Sequence, residues 1–561
     1  MSRAALFLTF GLGLVAVAAP PSRAQAPPPA GAGRVPVSVI PGAHREPNPA
    51  AAAELGRARG MLSEGQTPAA VEAGRRAALL DSLSATVFER LGVIYQAAGL
   101  PREAYQAFRR ASLLDPASAW ALNRAGQVLL SELGRPAGAL AALRQAQAVR
   151  PDFAPAHYSL SVYHLLRGEI EDTEREADLA FDQAVDEEEK RVFFGARMQL
   201  LMLRGQYLDA EDALRRHLYE RPDDRRAQQA QALALRLLGR YPESEEALRR
   251  LAAQVRPQAV LLNDLGTVQL ALGQRDSAAV SFRRAWDLDS TASEAGYHLA
   301  RAHLAAGDTS GALGWLAQLE ERDRGWYVAP LLAARIHAAR GDAARGERAF
   351  ARARALNPLS FEGPPPATDA GWRARQPGPR DSLLVRSEQA LVAGEFGAAL
   401  LLGYQACLDR EVRPRALLFV FWANRLSGLM PGGAAAHLEA GLEGLPASAK
   451  TERAVAEREL GLLHLRLGNA GDARAHLEKA LAALPPAHAV SASAAAALIG
   501  LCLDAGDPVA AGRLAARVGD PADAELLSAL ARAALAAGES ERARGLRERA
   551  AAAEFLPSEP R

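Results

Sequence analysis

One stretch of 34 residues, from Ala85 to Ser118, constrains the fold of this chain more than any other part of its sequence. Its first half places apolar residues and a glycine at positions i, i+3, i+4 and i+7: Phe88, Leu91, Gly92 and Tyr95. This spacing predicts a helix that carries all four residues on one face. The helix should end at Gly99, because glycine adopts the left-handed C-terminal conformation without steric cost.

The second half of the stretch predicts a second helix that runs back along the first. Ala104, Phe108 and Ala111 form an apolar stripe at i, i+4 and i+7. Pro116 then cannot continue the helix. The result is a helix hairpin with one apolar face on each helix. Because such a hairpin cannot bury both faces by itself, it should stack against similar neighbours.

The stretch resembles the tetratricopeptide repeat, whose pattern is an aromatic residue followed by x2-L-G-x2-Y, A-x3-F and a closing proline. Every position has a counterpart here, with phenylalanine in place of the usual tryptophan: Phe88, Leu91, Gly92, Tyr95, Ala104, Phe108 and Pro116. We expect Phe88 to be a buried anchor of the hairpin. A glycine inside a helix costs ~1 kcal/mol relative to alanine, so we expect Gly92 to lie where two helices approach closely.

Helix-ending glycines recur along the first half of the chain, and the last five are 34 residues apart: Gly65, Gly99, Gly134, Gly168, Gly205, Gly239, Gly273, Gly307 and Gly341. The resemblance implies an all-α fold, an α-solenoid of stacked antiparallel helix hairpins that form a tetratricopeptide-like superhelix. We predict two such arrays. The first has about nine repeats over residues 50–358, at roughly 34 residues each. The second, over residues 382–557, is a divergent tetratricopeptide-like helical array.

The N-terminal part of the chain predicts an export signal and a tether. Residues 1–24 begin with the basic Arg3 and continue with an uncharged segment from Ala4 to Ala19, as signal peptides do. Residues 25–49 are rich in proline, alanine and glycine and predict a disordered tether. We expect an exported protein, periplasmic or extracellular, with no membrane insertion after signal cleavage. The alternative is that an uncleaved signal anchors the protein in the membrane.

A segment rich in proline and glycine, residues 359–381, separates the two predicted arrays. Its composition excludes a helix pair and predicts an interdomain linker. In the second array, the run Ala416–Ala423 is the most apolar segment after the signal, but it is too short to span a bilayer. We interpret it as a buried helix, and a hydrophobic docking surface for a partner is the alternative.

Composition and charge limit the classes of partner. The formal net charge is +1, so no overall field directs the chain towards nucleic acid, and we expect no nucleic-acid partner. The two cysteines, Cys407 and Cys502, cannot form a disulfide framework. Arginine almost entirely replaces lysine and alanine is abundant, which indicates a GC-rich bacterial genome. The sequence makes no prediction of the oligomeric state.

No catalytic, metal-binding or cofactor-binding motif is recognisable in the sequence. The histidines do not belong to an H-E-x-x-H motif or to a Cys/His ligand set. His157 and His164 are two helical turns apart, which is too far for them to share a metal ion. We therefore predict a protein that is not an enzyme and that needs no cofactor.

The resemblance implies that the first helix of each hairpin lines a concave groove. The positions that flank the packed stripe on these helices are mostly amides, tyrosines and arginines. The groove candidates are Asn123, Gln127, Tyr158, Gln199, Gln229, Arg236, Asn263, Thr267, Tyr297, Arg301 and Arg335. Amides can bond to an extended peptide backbone and arginines to carboxylates, but the polarity of an ordinary surface explains the same residues equally well. We expect Tyr297 and Arg301 to lie outside the packed stripe and to contribute most to binding.

The predicted function is that of an exported scaffold that binds a protein or peptide partner in this groove. Two alternatives remain open. One is an accessory factor for envelope assembly or polysaccharide export, and the other is an enzyme whose catalytic part is the divergent C-terminal half. Chaperone-binding relatives clamp a C-terminal carboxylate with lysine and asparagine side chains. The groove candidates include no lysine, so this particular mode of binding is not expected.

Overall fold

The structure is a computed structural model of the chain. It describes residues 46–255, 257–289, 293–322, 326–357, 382–392, 396–427, 432–486, 488–518 and 524–553. The predicted signal peptide (1–24), most of the predicted tether (25–49) and the predicted linker (359–381) lie outside these ranges. Among the helices described, none combines the length and the apolar character that spanning a membrane requires.

The described residues form 28 α-helices and no strand. Helices α1 to α9 are Pro49–Ser63, Thr67–Leu80, Ala85–Ala97, Pro101–Leu114, Ala119–Ser131, Pro136–Val149, Ala154–Leu166, Ile170–Asp182 and Glu187–Leu203. Helices α10 to α18 are Tyr207–Glu220, Arg225–Leu237, Tyr241–Gln254, Ala259–Ala271, Arg275–Leu288, Ser293–Ala305, Thr309–Arg322, Val328–Ala339 and Ala343–Leu356. Helices α19 to α28 are Ser382–Val392, Phe396–Ala406, Arg413–Ser427, Gly433–Gly444, Lys450–Arg466, Ala470–Ala483, Ala489–Asp504, Pro508–Val518, Ala524–Ala536 and Ser540–Ala553. Consecutive helices pack as hairpins, for example α3 with α4 and α23 with α24, so the predicted all-α architecture of stacked hairpins is confirmed.

The chain divides into two compact units, unit 1 from Met1 to Leu201 and unit 2 from Met202 to Arg561. Unit 1 contains helices α1 to α8 and most of α9. Unit 2 contains the remaining helices, including those on both sides of the predicted linker. The division into two arrays at residues 359–381 stays a prediction, since that segment lies outside the described residues.

The glycines that the repeat predicts as helix ends do end helices. All nine have a positive φ, between 63° and 82°. At Gly99, φ is 70°, the N–H of Gly99 donates to the carbonyl of Gln96 at 3.0 Å, and the N–H of Leu100 donates to that of Tyr95 at 2.9 Å. These bonds satisfy carbonyls that the end of α3 would otherwise leave without a partner. The left-handed conformation required here explains why the position is glycine.

Gly92 lies at a close approach of α3 and α4, as predicted. A Cβ atom on Gly92 would lie 2.5 Å from a ring carbon of Phe108. The equivalent glycine of a later repeat, Gly266, has the same relationship to Phe282, at 2.7 Å. Both phenylalanine rings are fully buried. A glycine on the first helix therefore makes room for the aromatic ring of the second.

Phe88 does not have the buried role that the repeat pattern predicts. Its side chain is only half-buried, and the guanidinium carbon of Arg110 lies 5.9 Å from its ring centroid. The residue before it, Val87, is fully buried instead. The prediction of a Phe88 anchor is therefore wrong, because the core-facing position at the start of α3 is Val87. The buried aromatic residue of this hairpin is Phe108.

The apolar run Ala416–Ala423 is buried within α21, as predicted. Each of its residues is at most 3% exposed, so the alternative of a docking surface is wrong. The thiols of Cys407 and Cys502 are also buried, and neither cysteine forms a disulfide. Burial raises the pKa of Cys407 to about 12, which makes this thiol unreactive at neutral pH.

Candidate functional site

A pocket in unit 1 brings together three of the groove candidates. Asn123 and Gln127 on α5 and Tyr158 on α7 line it. The remaining lining residues are Trp120, Arg124, Pro155, Glu189, Val192 and Phe193. All nine belong to α5, α7 or α9, the odd-numbered helices that begin successive hairpins. The pocket is a shallow depression that is open to solvent, and its enclosed part has a volume of only ≈ 20 Å³.

The walls of the pocket are aromatic and apolar. The rings of Tyr158 and Phe193 pack with their centroids 5.1 Å apart. The ring of Trp120 is half-buried and stands edge-on to Phe108 at 5.7 Å. Val192 is buried beside Phe193. Such walls favour the burial of an apolar group from a ligand.

The most informative polar group of the pocket is the side-chain carbonyl of Asn123. The residue is only 2% exposed, and its Oδ1 has no hydrogen-bond partner within the described part of the chain. A buried carbonyl without a partner costs roughly 1–3 kcal/mol. An N–H or O–H donor from a bound molecule would remove this cost.

A hydrogen-bond network joins three helices at the pocket. The guanidinium of Arg124 donates to the side-chain carbonyls of Gln127, at 3.0 Å, and of Gln96 on α3. The amide nitrogen of Gln127 in turn donates to the hydroxyl of Ser159 on α7 at 2.9 Å. The side chain of Gln127 is therefore held by both of its ends, and the network fixes the relative positions of α3, α5 and α7.

Arg124 gives the pocket a buried positive charge. Its guanidinium carbon lies 5.7 Å from the ring centroids of both Phe108 and Trp120, a distance at which cation–π attraction operates. Burial lowers the pKa of Arg124 to about 10, and the charge of Glu132 opposes this shift. The guanidinium is thus still protonated at neutral pH. Burial also raises the pKa of Glu132, which accepts from Gln96 at 2.8 Å.

Glu189 is the acidic residue of the pocket. It is half-buried near the start of α9, and it accepts a hydrogen bond from the backbone N–H of Val185 at 3.0 Å. Burial raises its pKa above the ordinary value for a glutamate. The pocket therefore combines one cation, one carboxylate and an aromatic wall.

The amides and the tyrosine of this pocket are among the residues predicted from the sequence, and Arg124 is not. The sequence feature that could have indicated Arg124 is a single charged residue in the mostly apolar helix AWALNRAGQVLL. Arg124 does not occupy one of the positions that flank the packed stripe in each repeat. The remaining candidate of unit 1, Gln199, is half-buried on α9 and does not line the pocket.

Four groove candidates occupy α11 and α13 of unit 2: Gln229, Arg236, Asn263 and Thr267. Gln229 donates to Asp264 at 3.5 Å, and the hydroxyl of Thr267 donates to the backbone carbonyl of Asn263 at 2.9 Å. Asn263 is 4% exposed, and among the described residues its Oδ1 accepts no hydrogen bond, as at Asn123. Burial raises the pKa of Asp264 to about 7, while the nearby charge of Arg236 lowers it.

Tyr297 is part of the packed interior of unit 2. It is 1% exposed, its hydroxyl donates to the backbone carbonyl of Val392 at 3.0 Å, and its ring meets Trp326 edge-on at 5.1 Å. Burial raises the pKa of Tyr297 to about 12, although the nearby Arg301 and Arg335 oppose the shift. The expectation that Tyr297 lies outside the packed residues is wrong, because its side chain is buried and its hydroxyl bonds to the last residue of α19. The side chains of Arg301 and Arg335 are half-buried.

Helices α19 to α21, which we call the covering helices, contact the inner residues of unit 2 at several points. In addition to the bond to Val392, the amide nitrogen of Gln405 on α20 donates to the hydroxyl of Tyr207 at 3.0 Å. The ring of Trp422 on α21 meets Tyr327 edge-on at 5.6 Å. The covering helices thus contact Tyr207, Tyr297 and Tyr327 of earlier helices of unit 2.

One cluster with metal-ligating side chains was not anticipated from the sequence. Potential ligand atoms of His164, Glu169 and Asp172 lie within 4.8 Å of one another. Nδ1 of His164 is 2.6 Å from Glu169, whose other oxygen accepts from Arg167 at 3.0 Å. Asp172 forms an ion pair with Arg175 at 2.7 Å. Ion pairs within the protein account for this arrangement.

The chain was compared with solved structures, with curated proteins and with family models. Among solved structures, the chain is similar to a tetratricopeptide repeat protein from Parabacteroides merdae, with 17% identity, a TM-score of 0.39 and coverage of 46% of this chain and 99% of that one. It is also similar to MamA, with 16% identity, a TM-score of 0.27 and coverage of 29% and 94%. No curated protein matches the chain. Residues 269–334 match the family model for the tetratricopeptide repeat. This match identifies tetratricopeptide repeat sequence within residues 269–334, and hairpins ended by left-handed glycines recur over the described part of the chain.

Proposed function

We propose that the protein is a scaffold that binds an extended segment of a protein partner in the pocket of unit 1, between α5, α7 and α9. The observation that carries this proposal is the buried carbonyl of Asn123 without a partner, in a pocket walled by aromatic residues. An extended peptide suits such a site because its backbone supplies N–H donors while its side chains supply apolar surface. The repeat fold is typical of binding scaffolds rather than of enzymes.

The composition of the pocket supports a protein partner. Tryptophan, tyrosine and arginine are the residues most enriched at energetic hot spots of protein interfaces, and Trp120, Tyr158 and Arg124 all line this pocket. The hydrogen bonds from Arg124 through Gln127 to Ser159 hold the site in one arrangement before binding. A site that is already ordered loses less entropy on association.

The covering helices explain why we place the site in unit 1 rather than around Tyr297. In unit 2 the groove candidate Tyr297 is buried and bonds to Val392 at the end of α19, while α20 contacts Tyr207 and α21 contacts Tyr327. A partner would have to displace these helices to reach Tyr297. The pocket beside Asn123 is open to solvent.

A library of random peptides displayed on phage, selected on the full-length protein, tests the proposal. We expect peptides that bind the wild-type protein and lose about tenfold or more in affinity for Trp120→Ala, as at an interface hot spot. The control is Arg109→Ala, because Arg109 is exposed on α4 and does not line the pocket. Failure to enrich any peptide, or equal binding to both variants and the wild type, contradicts the proposal. Circular dichroism checks that both variants remain folded.

We propose in addition that residues 1–24 direct export, on the basis of Arg3 and the uncharged segment that follows it. The partner would then be a periplasmic or extracellular protein. A fusion of residues 1–30 to a reporter that is active only outside the cytoplasm should be active, and the mature N-terminus should be Gln25. A full-length product confined to the cytoplasm contradicts export.

A further inference from the structure

We propose that residues 35–40 of the chain, which we call the valine segment, dock on exposed leucines at the end of α2. These leucines are Leu79, Leu80 and Leu83, and we call them the leucine patch. The inference concerns a surface other than the pocket between α5, α7 and α9, and it does not rest on the proposed function. It gives a packed position to one part of residues 25–49, which the sequence predicts to be a tether.

The leucine patch places three exposed apolar side chains within five consecutive positions. Leu79 is 83% exposed, Leu80 48% and Leu83 61%. Leu79 and Leu80 end α2, and Leu83 lies in the turn before α3. Single exposed apolar residues are common on protein surfaces, whereas a group of neighbouring ones marks a surface that another segment or molecule covers.

The repeat itself does not require a leucine at this end of α2. Leu79 lies fourteen residues after the helix-ending Gly65. The equivalent residues of other repeats are mostly small or charged, as in Ala148, Asp182, Ala253, Asp287, Glu321 and Ala355. Leu113, in the next repeat, is the other leucine at this position, and it is also exposed. A contact outside the hairpins therefore explains these apolar side chains better than the packing of the repeat does.

The described part of the chain begins beside this patch. The backbone N–H of Asn48 donates to the carboxylate of Asp81 at 2.9 Å, and Asp81 lies between Leu80 and Leu83 in the sequence. Pro47 is buried. The residues directly before α1 are thus held against the turn between α2 and α3. The part of the chain that precedes them starts from this point, next to the leucine patch.

The valine segment has the side chains that such a patch needs. Its sequence is VPVSVI, and it contains all the branched apolar residues of the predicted tether: Val35, Val37, Val39 and Ile40. The proline and the β-branched residues favour an extended backbone. In an extended chain alternate residues face the same side, so the three valines can contact one surface together.

The length of the connection allows the contact. Five residues separate Ile40 from Glu46, where the described part of the chain begins. At ~3.3–3.6 Å per residue, this connection spans up to about 20 Å. The valine segment can therefore reach every residue of the leucine patch from the point at which Asn48 bonds to Asp81.

Area and connectivity favour this segment over a second copy of the chain. Even a large aromatic side chain buries only about 150–250 Å², so three partly exposed leucines offer much less than the ~800 Å² that each partner buries in a stable complex. A segment of the same chain needs less contact area, because a short connection gives it a high effective concentration at the patch.

The rate at which trypsin cuts the full chain after Arg34 tests the inference. Arg34 directly precedes the valine segment, and the cut is limited by the fraction of molecules in which the segment is undocked. Leu79→Ser plus Leu83→Ser leaves the trypsin site itself unchanged, and it should speed this cut about fivefold or more. Mass spectrometry follows the product that begins at Val35, and circular dichroism checks that the variant remains folded.

The matched control is Leu208→Ser plus Tyr219→Ser on α10. Both residues are exposed, and Tyr219 lies fourteen residues after the helix-ending Gly205, as Leu79 does after Gly65. This pair should leave the rate of the cut after Arg34 as in the wild type.

Substitutions in the valine segment show whether it contacts the leucine patch directly. Val37→Ser plus Val39→Ser should speed the cut by the same factor as the leucine pair. This factor is corrected with a synthetic peptide of residues 25–48 that carries the same two substitutions, because they lie close to the cut bond. Combining the valine and leucine pairs should add nothing further, since each pair removes the same contact.

The other outcomes overturn the inference. A cut that is no faster with the leucine pair than with the control pair shows that the segment does not dock on the patch. Effects of the leucine and valine pairs that simply add show that the two groups do not contact each other. Protection of Arg34 that disappears when the wild type is diluted shows that a second copy covers the patch instead.

Discussion

The hydroxyl of Tyr297 donates a hydrogen bond to the backbone carbonyl of Val392 at 3.0 Å, across 95 residues of sequence. This bond joins α15 to the end of α19, the first of the covering helices. Tyr297→Phe removes only the bond, so we expect a loss of about 0.5–1.5 kcal/mol in the free energy of unfolding. Hydrogen exchange measured by mass spectrometry should be faster in residues 382–392.

Tyr297→Ala serves as the comparison for that change. It also removes the ring that packs against Trp326 at 5.1 Å, so its cost should be about 3–5 kcal/mol. If Tyr297→Phe costs as much as Tyr297→Ala, the hydrogen bond rather than the ring is the main contribution. Because both changes act on a buried residue, any effect on partner capture would come through stability.

Gly92 and Gly56 are both helical glycines, and replacing each by alanine should have opposite effects. The Cβ of Gly92→Ala would lie 2.5 Å from the ring of Phe108, so we expect a loss of about 1–3 kcal/mol from overpacking. Gly56 is exposed in α1, and a Cβ there would have no atom within 4 Å. Gly56→Ala should therefore stabilise α1 by about 0.8–1 kcal/mol. Denaturant unfolding of both variants measures these changes, and equal effects would contradict the close approach of α3 and α4.

The sequence predicts the hairpins well because their signals are local and periodic. Spacing within one repeat predicts three features: the helix-ending glycines, the contact between Gly92 and Phe108, and the apolar stripe that contains Ala104. The pocket residues Asn123 and Tyr158 could be found for the same reason, since equivalent positions of successive repeats face the same side. The repeat pattern wrongly predicts that Phe88 is the buried anchor. It requires an aromatic residue near the start of the helix, but it does not show that the neighbouring Val87 is the residue that is buried.

Contacts between distant helices have no such signal. The covering helices reach Tyr297 and Tyr207 from residues about 100–200 positions away, and nothing periodic marks these pairs. The role of Arg124 cannot be predicted from the sequence. Its guanidinium lies near the rings of Phe108 and Trp120 and bonds to Gln96 of the preceding repeat, and these groups meet only when the helices pack.

A buried arginine of unit 2 connects helices on both sides of the predicted linker. Arg458 on α23 is fully buried, pairs with Glu459 at 2.7 Å, and donates to the carbonyl of Ala355 at 2.7 Å and to that of Leu356. These carbonyls end α18 and need donors. Arg458→Met should cost about 3–5 kcal/mol, because it removes the buried guanidinium that pairs with Glu459 and that donates to the carbonyls at the end of α18.

The double variant Arg458→Met plus Glu459→Gln should lose less stability than Arg458→Met alone, since no net buried charge remains. Denaturant unfolding of the two variants and the wild type gives the comparison. A double variant that is less stable than the single one would show that the carbonyls at the end of α18, rather than the ion pair, dominate.

Asp264 should make stability depend on pH. Its pKa is raised by burial to about 7 in the folded chain, against about 3.9 when unfolded. Between these values the folded chain retains a proton that the unfolded chain has released. The stabilisation that the protonated carboxyl of Asp264 provides is therefore complete below about pH 4. It is lost as the pH rises to about 7, and the free energy of unfolding falls by at most about 1.4 kcal/mol per pH unit. Unfolding free energies across this range should decline less in Asp264→Asn than in the wild type, and parallel curves would contradict the raised pKa.

Limited digestion with trypsin tests the proposed boundary between the arrays of residues 50–358 and 382–557. The density of proline and glycine in residues 359–381 leads us to expect the first cuts there, at Arg373, Arg375 or Arg380. The two fragments should stay together in size-exclusion chromatography and separate only in denaturing electrophoresis. The physical reason is that Arg458 contacts the end of α18, and that Arg352 on α18 pairs with Glu525 on α27 at 3.1 Å. Nicked Arg458→Met should dissociate more readily than the nicked wild type. First cuts within residues 85–358, or fragments of the wild type that separate under native conditions, would show that these contacts do not hold the two arrays together.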